Sequence, residues 1–202
     1  MYLVKTPFWL PILYPSLTWH KSREEKCVYL TFDDGPIPFV TPFVLNTLND
    51  FNAKATFFCI GDNVQKHPEI YSQVLANGHA VGNHTQNHPK GWDTPDTLYI
   101  ENIHQCSELV KSNLFRPPYG RATRSQYSIL NTQYSIIMWD VLSGDFDTKR
   151  SPEKCFNDVV RHTKNGSIIV FHDSLKAMPR LEFVLPRILE TLTAKGYQFK
   201  SL

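Results

Sequence analysis

The feature that most constrains the fold is an alternation of apolar runs and amphipathic segments along the 202-residue chain. Seven runs have the composition of β-strands, and the six segments between them place apolar residues at helical spacing. The predicted strands are KCVYLTF, ATFFCIG, HAVGN, LFR, YSIIMWD, GSIIVFH and YQFK. Continuously apolar strands separated by helices favour a parallel sheet covered on both faces. The pattern predicts an α/β fold whose right-handed crossovers form an open sheet or a barrel.

Length and composition indicate a single folded domain. The chain is 42% hydrophobic and 13% aromatic, which is enough to fill a substantial core. Residues 1–25 precede the first predicted strand and are uncharged from Thr6 to Trp19, with three prolines in that stretch. We interpret them as an N-terminal segment packed on a domain of residues 26–202. They lack a basic start, a clean apolar core and a small-residue cleavage site, so we predict a cytoplasmic protein without a transmembrane helix. Export by an atypical N-terminal signal is the alternative.

Charge and cysteine content exclude several classes of protein. The formal net charge of +2 arises from nearly balanced acidic and basic residues with no basic block, which predicts no nucleic-acid partner. The four cysteines are widely spaced and form no C-x-x-C pair, so we predict buried free thiols. Oligomeric state is left open.

Chemically reactive side chains collect at the carboxyl ends of the predicted strands. In a barrel of parallel strands these ends share one rim, where the active sites of such folds lie. The residues are Asp33 and Asp34, His84 and His88, Arg116, Asp140 and Asp145, and His172 with Asp173. Residues that are distant in sequence are therefore expected to meet in one pocket.

The stretch NHTQNHP contains two histidines with the spacing of a metal site. Two imidazoles four residues apart could share a helical face, but Pro89 disfavours the α conformation at His88 and favours a strand-to-loop turn. Solvated loop histidines are the alternative, and the acidic pair on a neighbouring strand favours ligation. Two histidines and one carboxylate form a common catalytic Zn²⁺ set, which also suits transition metals such as Co²⁺ or Ni²⁺.

Five stretches carry a resemblance to a known family. They are TFDDG at 31–35, HTQNH at 84–88, RPPYG at 116–120, WDVLSGDF at 139–146 and VFH at 170–172. In this order they resemble the motifs of the NodB-homology polysaccharide deacetylases, carbohydrate esterase family 4. The resemblance covers roughly residues 26–202. It implies a distorted (β/α)7-type barrel in a single domain, and metal-dependent removal of N- or O-acetyl groups from sugars.

The resemblance implies distinct roles for the two adjacent aspartates. Asp34 would join His84 and His88 on the metal, and Asp33 would act as general base toward water. Neighbouring side chains on a regular strand point to opposite faces, so both reach one pocket only if the strand bends, and we expect Gly35 to permit that bend. A salt-bridged or helix-capping acidic pair is the alternative.

The remaining catalytic roles are also implied by the resemblance. Arg116 would pair with Asp33, although an ordinary surface ion pair is the alternative. The backbone N–H of Tyr119 would stabilise an oxyanion, and His172 would be the general acid. Asp145 best matches the carboxylate that tunes His172.

Two positions depart from the family pattern. Phe146 follows Asp145 where the family usually has Trp, and Leu142 stands at a position that is often acidic. Asp140 is the less favoured candidate for the carboxylate that tunes His172. The alternative role for Asp145 is helix capping or a turn. In the fifth motif Val170 stands where a leucine usually lines the acetyl-methyl pocket, so we expect a slightly wider pocket.

Aromatic residues near the rim indicate where a sugar ring could stack. We expect Tyr119 to contact substrate and leave Trp92 and Trp139 open between substrate contact and core packing. The predicted partner is an acetylated oligo- or polysaccharide, with peptidoglycan, chitin oligomers, acetylated xylan and lipid-linked glycans all possible. Hydrolysis of a non-sugar amide on the same barrel, and non-catalytic sugar binding, are the alternative functions.

Overall fold

A computed structural model describes residues 2–202, and Met1 of the predicted N-terminal segment lies outside it. The strands are β1 (Cys27–Asp33), β2 (Ala55–Cys59), β3 (Ala80–Asn83), β4 (Leu114–Phe115), β5 (Ser135–Ile136), β6 (Val141–Leu142), β7 (Ile168–His172) and β8 (Gln198–Phe199). The helices are α1 (Leu10–Leu13), α2 (Val40–Asp50), α3 (Gly61–Lys66), α4 (Pro68–Ala76), α5 (Asp96–Leu109), α6 (Arg124–Leu130), α7 (Pro152–His162) and α8 (Met178–Ala194).

Seven of the strands form one parallel sheet in the order β5-β4-β3-β2-β1-β7-β6, and β8 pairs with the start of β1. The sheet curls into a half-barrel with helices outside it, and the chain forms one domain. The predicted (β/α)7-type architecture is confirmed. Because every pairing is parallel, the carboxyl ends of the strands lie at one rim.

Alternate residues of β1 face opposite sides of the sheet, so its apolar side chains pack in the core on one side and its polar side chains face the barrel interior on the other. Val28, Leu30 and Phe32 lie in the main apolar cluster, which includes residues of the surrounding helices. The ring of Phe32 stacks on those of Phe57 and Phe171, with centroids 5.1 and 5.9 Å apart. Each buried side chain of this size contributes about 1.5–3 kcal/mol. Because successive strand residues face opposite ways, this packing turns Thr31 and Asp33 toward the barrel interior.

The predicted fifth strand, residues 134–140, is wrong as a single element. Only Ser135–Ile136 of this run forms a strand, which pairs with β4, whereas β6 begins just after the run, at Val141, and pairs with β7. Within residues 2–202, β5 and β6 are not paired with each other, and a seam separates them. An apolar run shows burial but not the partner of each residue, which is why the sequence did not reveal the break.

The N-terminal segment lies in this seam. Four backbone hydrogen bonds join it to the seam: Thr6 to Asp140, Leu142 to Val4, Thr18 to Ile136 and Met138 to Thr18, each with its N–H donor first. Leu17 and Trp19 are buried and pack in the apolar cluster beside β4 and β5. Residues 4–19 therefore supply hydrogen bonds that a strand between β5 and β6 would otherwise supply.

The cysteines and the helices carry two further findings. Cys27, Cys59, Cys106 and Cys155 are buried free thiols, as predicted. Among the helices of residues 2–202, none combines the length and apolar composition needed to cross a membrane.

Candidate active site

Asp33 forms a buried ion pair with Arg116 inside the barrel. Arg116 Nη1 lies 2.7 Å from Asp33 Oδ1 and 2.7 Å from Thr31 Oγ1, and the guanidinium is completely buried. Two backbone carbonyls accept hydrogen bonds from its Nε and Nη2, and its Cζ lies 4.1 Å from the Phe58 ring centroid. These contacts fix the orientation of Arg116. The Asp33 oxygen Oδ2 accepts no hydrogen bond within residues 2–202 and is free to accept a proton.

The chain bends at Asp34, and not at Gly35 as we expected. Asp34 has φ 87°, in the left-handed region, which turns its side chain out of the strand and toward the same rim as Asp33. Gly35 is required for a different reason. A Cβ at residue 35 would lie 1.9 Å from Oδ2 of Asp173, whose Oδ1 accepts a hydrogen bond from the Gly35 N–H.

Replacing Gly35 tests this close approach. Gly35→Ala is expected to lower the free energy of unfolding by about 1–3 kcal/mol, because the added methyl group overlaps the Asp173 carboxylate. Urea denaturation measures the loss. In the Asp173→Ala background the overlap is absent, so Gly35→Ala is expected to cost much less there. Equal costs in both backgrounds would contradict the assignment.

Asp34, His84 and His88 form a cluster suited to a metal ion. One ligand atom from each residue lies within 4.8 Å of the others. The Asp34 oxygen Oδ1 is 3.9 Å from His84 Nε2 and 3.5 Å from His88 Nε2. Both histidines lie in the loop after β3, as predicted, and His88 has φ 61°.

The surroundings of His84 leave one nitrogen free for ligation. Its Nδ1 lies 2.8 Å from the Arg116 carbonyl oxygen, which can only accept, so Nδ1–H is the donor. The lone pair of the neutral ring is then on Nε2, which faces Asp34. Burial lowers the pKa of His84 to about 3 and also lowers the pKa of His88, so both rings are neutral at pH 7. A neutral imidazole is the form that binds metal ions.

His172 lies beside Asp33, at the end of the neighbouring strand, and is held by Asp145. The register of β1 and β7 pairs Asp33 directly with His172. Asp145 accepts two hydrogen bonds from His172, from Nδ1–H at 2.7 Å and from the backbone N–H at 2.8 Å. Burial alone would lower the pKa of His172, but the Asp145 carboxylate raises it by more, and the pKa is about 9. His172 Nε2 therefore carries a proton at neutral pH.

Asp140 lies elsewhere and does not contact His172. It is buried and accepts hydrogen bonds from Lys5, Arg23 and Ser167. The structure thus brings together Asp145 and His172 and places Asp140 in an ion-pair cluster with the N-terminal segment.

Two aromatic rings stand next to the histidines. Tyr119 is half exposed, has φ 60°, and its ring centroid lies 4.7 Å from that of His88. The Phe146 ring lies edge-on to that of His172, with centroids 5.0 Å apart, and the Tyr2 ring lies 4.9 Å from that of Phe146. The N-terminal segment therefore contributes to the wall on the His172 side.

Trp92, Trp139 and Val170 have different environments. Trp92 is exposed, with its indole N–H donated to the carbonyl of Ala122. Trp139 packs in the apolar clusters, and a Cβ on Gly120 would lie 2.3 Å from its ring. Val170 is buried in β7, two residues before His172 and on the same interior face of the strand.

Two residues that hold the loops of the site, Asn83 and Asn63, were missed from the sequence, and a third, Asp173, was placed at the rim without a role. Asn83 orders the His84 loop by accepting the Thr85 N–H, and Asn63 donates to the carbonyl of Asp34. Asp173 accepts from Gly35 and from Thr41 Oγ1 and is completely buried. Burial raises the pKa of Asp173 to about 8. Its position directly after His172 was the only signal, and nothing in the sequence indicated its partners.

Comparisons with known proteins agree with this geometry. The sequence model of the family described as polysaccharide deacetylase matches residues 20–134. A peptidoglycan-N-acetylglucosamine deacetylase of Bacillus cereus is 34% identical over 190 residues, covering 91% of this chain and 89% of that protein. A chitooligosaccharide deacetylase of Azorhizobium caulinodans is 34% identical over 160 residues, covering 75% and 76%. The crystal structure of Bc1960, a peptidoglycan N-acetylglucosamine deacetylase, has a TM-score of 0.86 at 29% identity and covers 98% of this chain and 95% of its own. The chain therefore belongs to the polysaccharide deacetylase family, carbohydrate esterase family 4, as the five motifs indicated.

Proposed function

We propose that this protein is a metal-dependent hydrolase that removes N-acetyl groups from a glycan containing N-acetylglucosamine. One observation carries the proposal. The Asp33–Arg116 pair and the His172–Asp145 pair lie at the ends of adjacent strands, next to the cluster of Asp34 with two histidines. A base, an acid and a set of metal ligands are the parts that amide hydrolysis requires.

The residues present fit a divalent metal ion. Two neutral imidazole nitrogens and one carboxylate oxygen are a common catalytic Zn²⁺ set, and the Arg116 carbonyl orients His84 as outer partners of metal sites do. Asp34, His84 and His88 would hold Zn²⁺, with Co²⁺ or Ni²⁺ as alternatives. The ion would supply Lewis acidity toward water and toward an acetyl carbonyl.

Asp33 is suited to accept the proton of the attacking water. Arg116 occupies Oδ1 and leaves Oδ2 free, so the carboxylate is held in one orientation with one acceptor available. Asp33 is therefore poised as a general base before substrate arrives.

His172 and Tyr119 are suited to the later steps. The amine that leaves must be protonated. Asp145 binds Nδ1–H of His172 and raises the pKa of the ring to about 9, so the ring also carries a proton at Nε2. The backbone N–H of Tyr119 would donate to the oxyanion, and its ring, beside His88, would contact the sugar. Val170, below His172, would face the acetyl methyl group.

The basic limb of the pH–activity profile is expected to report loss of the proton on His172. In metal-free protein His172 is expected to titrate near pH 9, and Asp145→Asn is expected to lower its pKa, because the largest contribution that opposes burial is lost and only the smaller ones of Asp34 and Asp33 remain. Since folding raises this pKa, the protonated ring stabilises the fold fully below pH 6.5, and the contribution is lost as pH rises through about 9. NMR titration of the imidazole measures both values.

A matched control is Asp140→Asn, which removes a buried carboxylate that does not contact His172. It is expected to leave the His172 pKa near 9. A lowered pKa in this variant, with no change in Asp145→Asn, would reverse the assignment of the two aspartates.

The substrate is tested by the product released. We expect acetate from chitooligosaccharides and from peptidoglycan, the substrates that the relatives' names state. Ammonia or formate from small amides, without acetate from either glycan, would assign the non-sugar amide alternative. Glycan binding without any turnover in the metal-loaded protein would assign non-catalytic sugar binding.

A further inference from the structure

The N-terminal segment presents an exposed apolar surface that the proposed catalysis does not use. We call it the apolar N-terminal face, and its members are Leu3, Phe8, Trp9, Ile12 and Leu13. Phe8 is 84% exposed and Ile12 is 74% exposed. Exposed apolar residues are ordinary when they are scattered singly, but a cluster on one short segment indicates an interaction site.

The segment that carries this face is held rigidly. Leu10 and Tyr14 point the other way and pack in the apolar cluster with Leu17 and Trp19. Three backbone hydrogen bonds hold α1 and its ends, donated by the N–H groups of Leu10, Leu13 and Tyr14. The face is therefore preorganised, so little conformational entropy is lost when it binds.

Cationic groups lie beside the face. A cleft of about 580 Å³ has Phe8 and Ile12 on its lining together with Lys5, Arg23 and Lys164. Asp140 is the single carboxylate there and is already paired with Lys5 and Arg23. Three basic side chains against one acid leave the cleft positive, and Lys164 forms no ion pair within residues 2–202.

We propose that the apolar N-terminal face docks on an anionic lipid bilayer. Its apolar side chains would enter the headgroup region, while the cationic cleft would lie against lipid phosphates. No charge interrupts residues 6–19, and Trp9 has the amphipathic ring that is enriched at membrane interfaces. A two-fold dimer through the same face would instead bring two positive clefts together, which is unfavourable.

Flotation of the full chain with lipid vesicles tests the proposal. We expect binding to vesicles of phosphatidylglycerol and phosphatidylcholine, and weaker binding to phosphatidylcholine alone. Replacing both Phe8 and Ile12 by Ser is expected to reduce partitioning at least about a hundredfold, because two large apolar side chains are lost. Lys164→Gln is expected to reduce it about fivefold on anionic vesicles only.

The matched control replaces Leu75 and Leu98 by Ser. Both leucines are exposed, on α4 and α5, so this variant is expected to float like the wild type. Thermal melting of each variant shows that the fold is retained. Absence of flotation, or equal flotation of the Phe8/Ile12 variant, overturns the proposal. A dimer in sedimentation velocity that this variant dissociates, without vesicle binding, assigns the face to a second copy and also overturns it.

Discussion

An Asp33→Asn protein is expected to retain its metal ion and its glycan binding while turning over at least about a hundredfold more slowly. The amide oxygen can still accept the hydrogen bond from Arg116, so the side chain keeps its place, but the amide cannot accept a proton from water. Loss of a general base typically costs about 10²–10⁴-fold in rate. Metal content, glycan affinity and kcat are measured on the same preparation.

Asp34→Asn is the matched comparison, since it makes the same chemical change at the next residue. It removes the anionic member of the ligand cluster and is expected to weaken metal binding. If Asp33→Asn lost the metal and Asp34→Asn kept it, the two roles would have to be exchanged. If both variants kept metal and activity, the proposed hydrolase function would be wrong.

His84→Ala is expected to strip the metal and abolish acetate release. His84 is almost completely buried, and the hydrogen bond from Nδ1–H to the Arg116 carbonyl directs its Nε2 toward Asp34, so alanine removes a fixed ligand atom. Chelation of the native protein is expected to have the same effect and to be reversed by added zinc. Elemental analysis and an acetate assay measure the two losses.

His104→Ala provides the control, because His104 is an exposed residue on α5 and is not in the cluster. It is expected to keep both metal and activity. Full metal occupancy in His84→Ala would rule out the proposed ligand set.

The fold could be predicted where local pattern and tertiary context agree. β1, β2 and β7 are continuous apolar runs with neighbours on both sides, so their composition identifies them as buried parallel strands. Residues 134–140 have the same composition, yet only Ser135–Ile136 forms a strand there, at the edge beside β4. The other residues of this run bond to the N-terminal segment, through Thr6 and Thr18, and composition does not identify that partner.

The candidate site, too, could be predicted from the sequence only in part. Asp33, His84, Arg116 and His172 could be placed from motif and strand-end position, and the structure brings them to one rim. The bend at Asp34 could not be predicted from the sequence, because Gly35 is the neighbouring residue that sequence rules favour for a bend. The buried acid Asp173 fills the space that Gly35 leaves and determines the local backbone.

The segment in the seam also sets an order of events during synthesis. Tyr2 bonds Asp147 and Lys5 bonds Asp140, contacts that span 145 and 135 residues of chain. Contacts this distant in sequence form late, because the intervening chain must be ordered first. At ribosomal rates of about 5–20 residues per second, Tyr2 and Lys5 wait on the order of ten seconds for their partners to be synthesised. Closing the seam is therefore expected to be a late step in folding, although the segment that closes it is translated before the strands it joins.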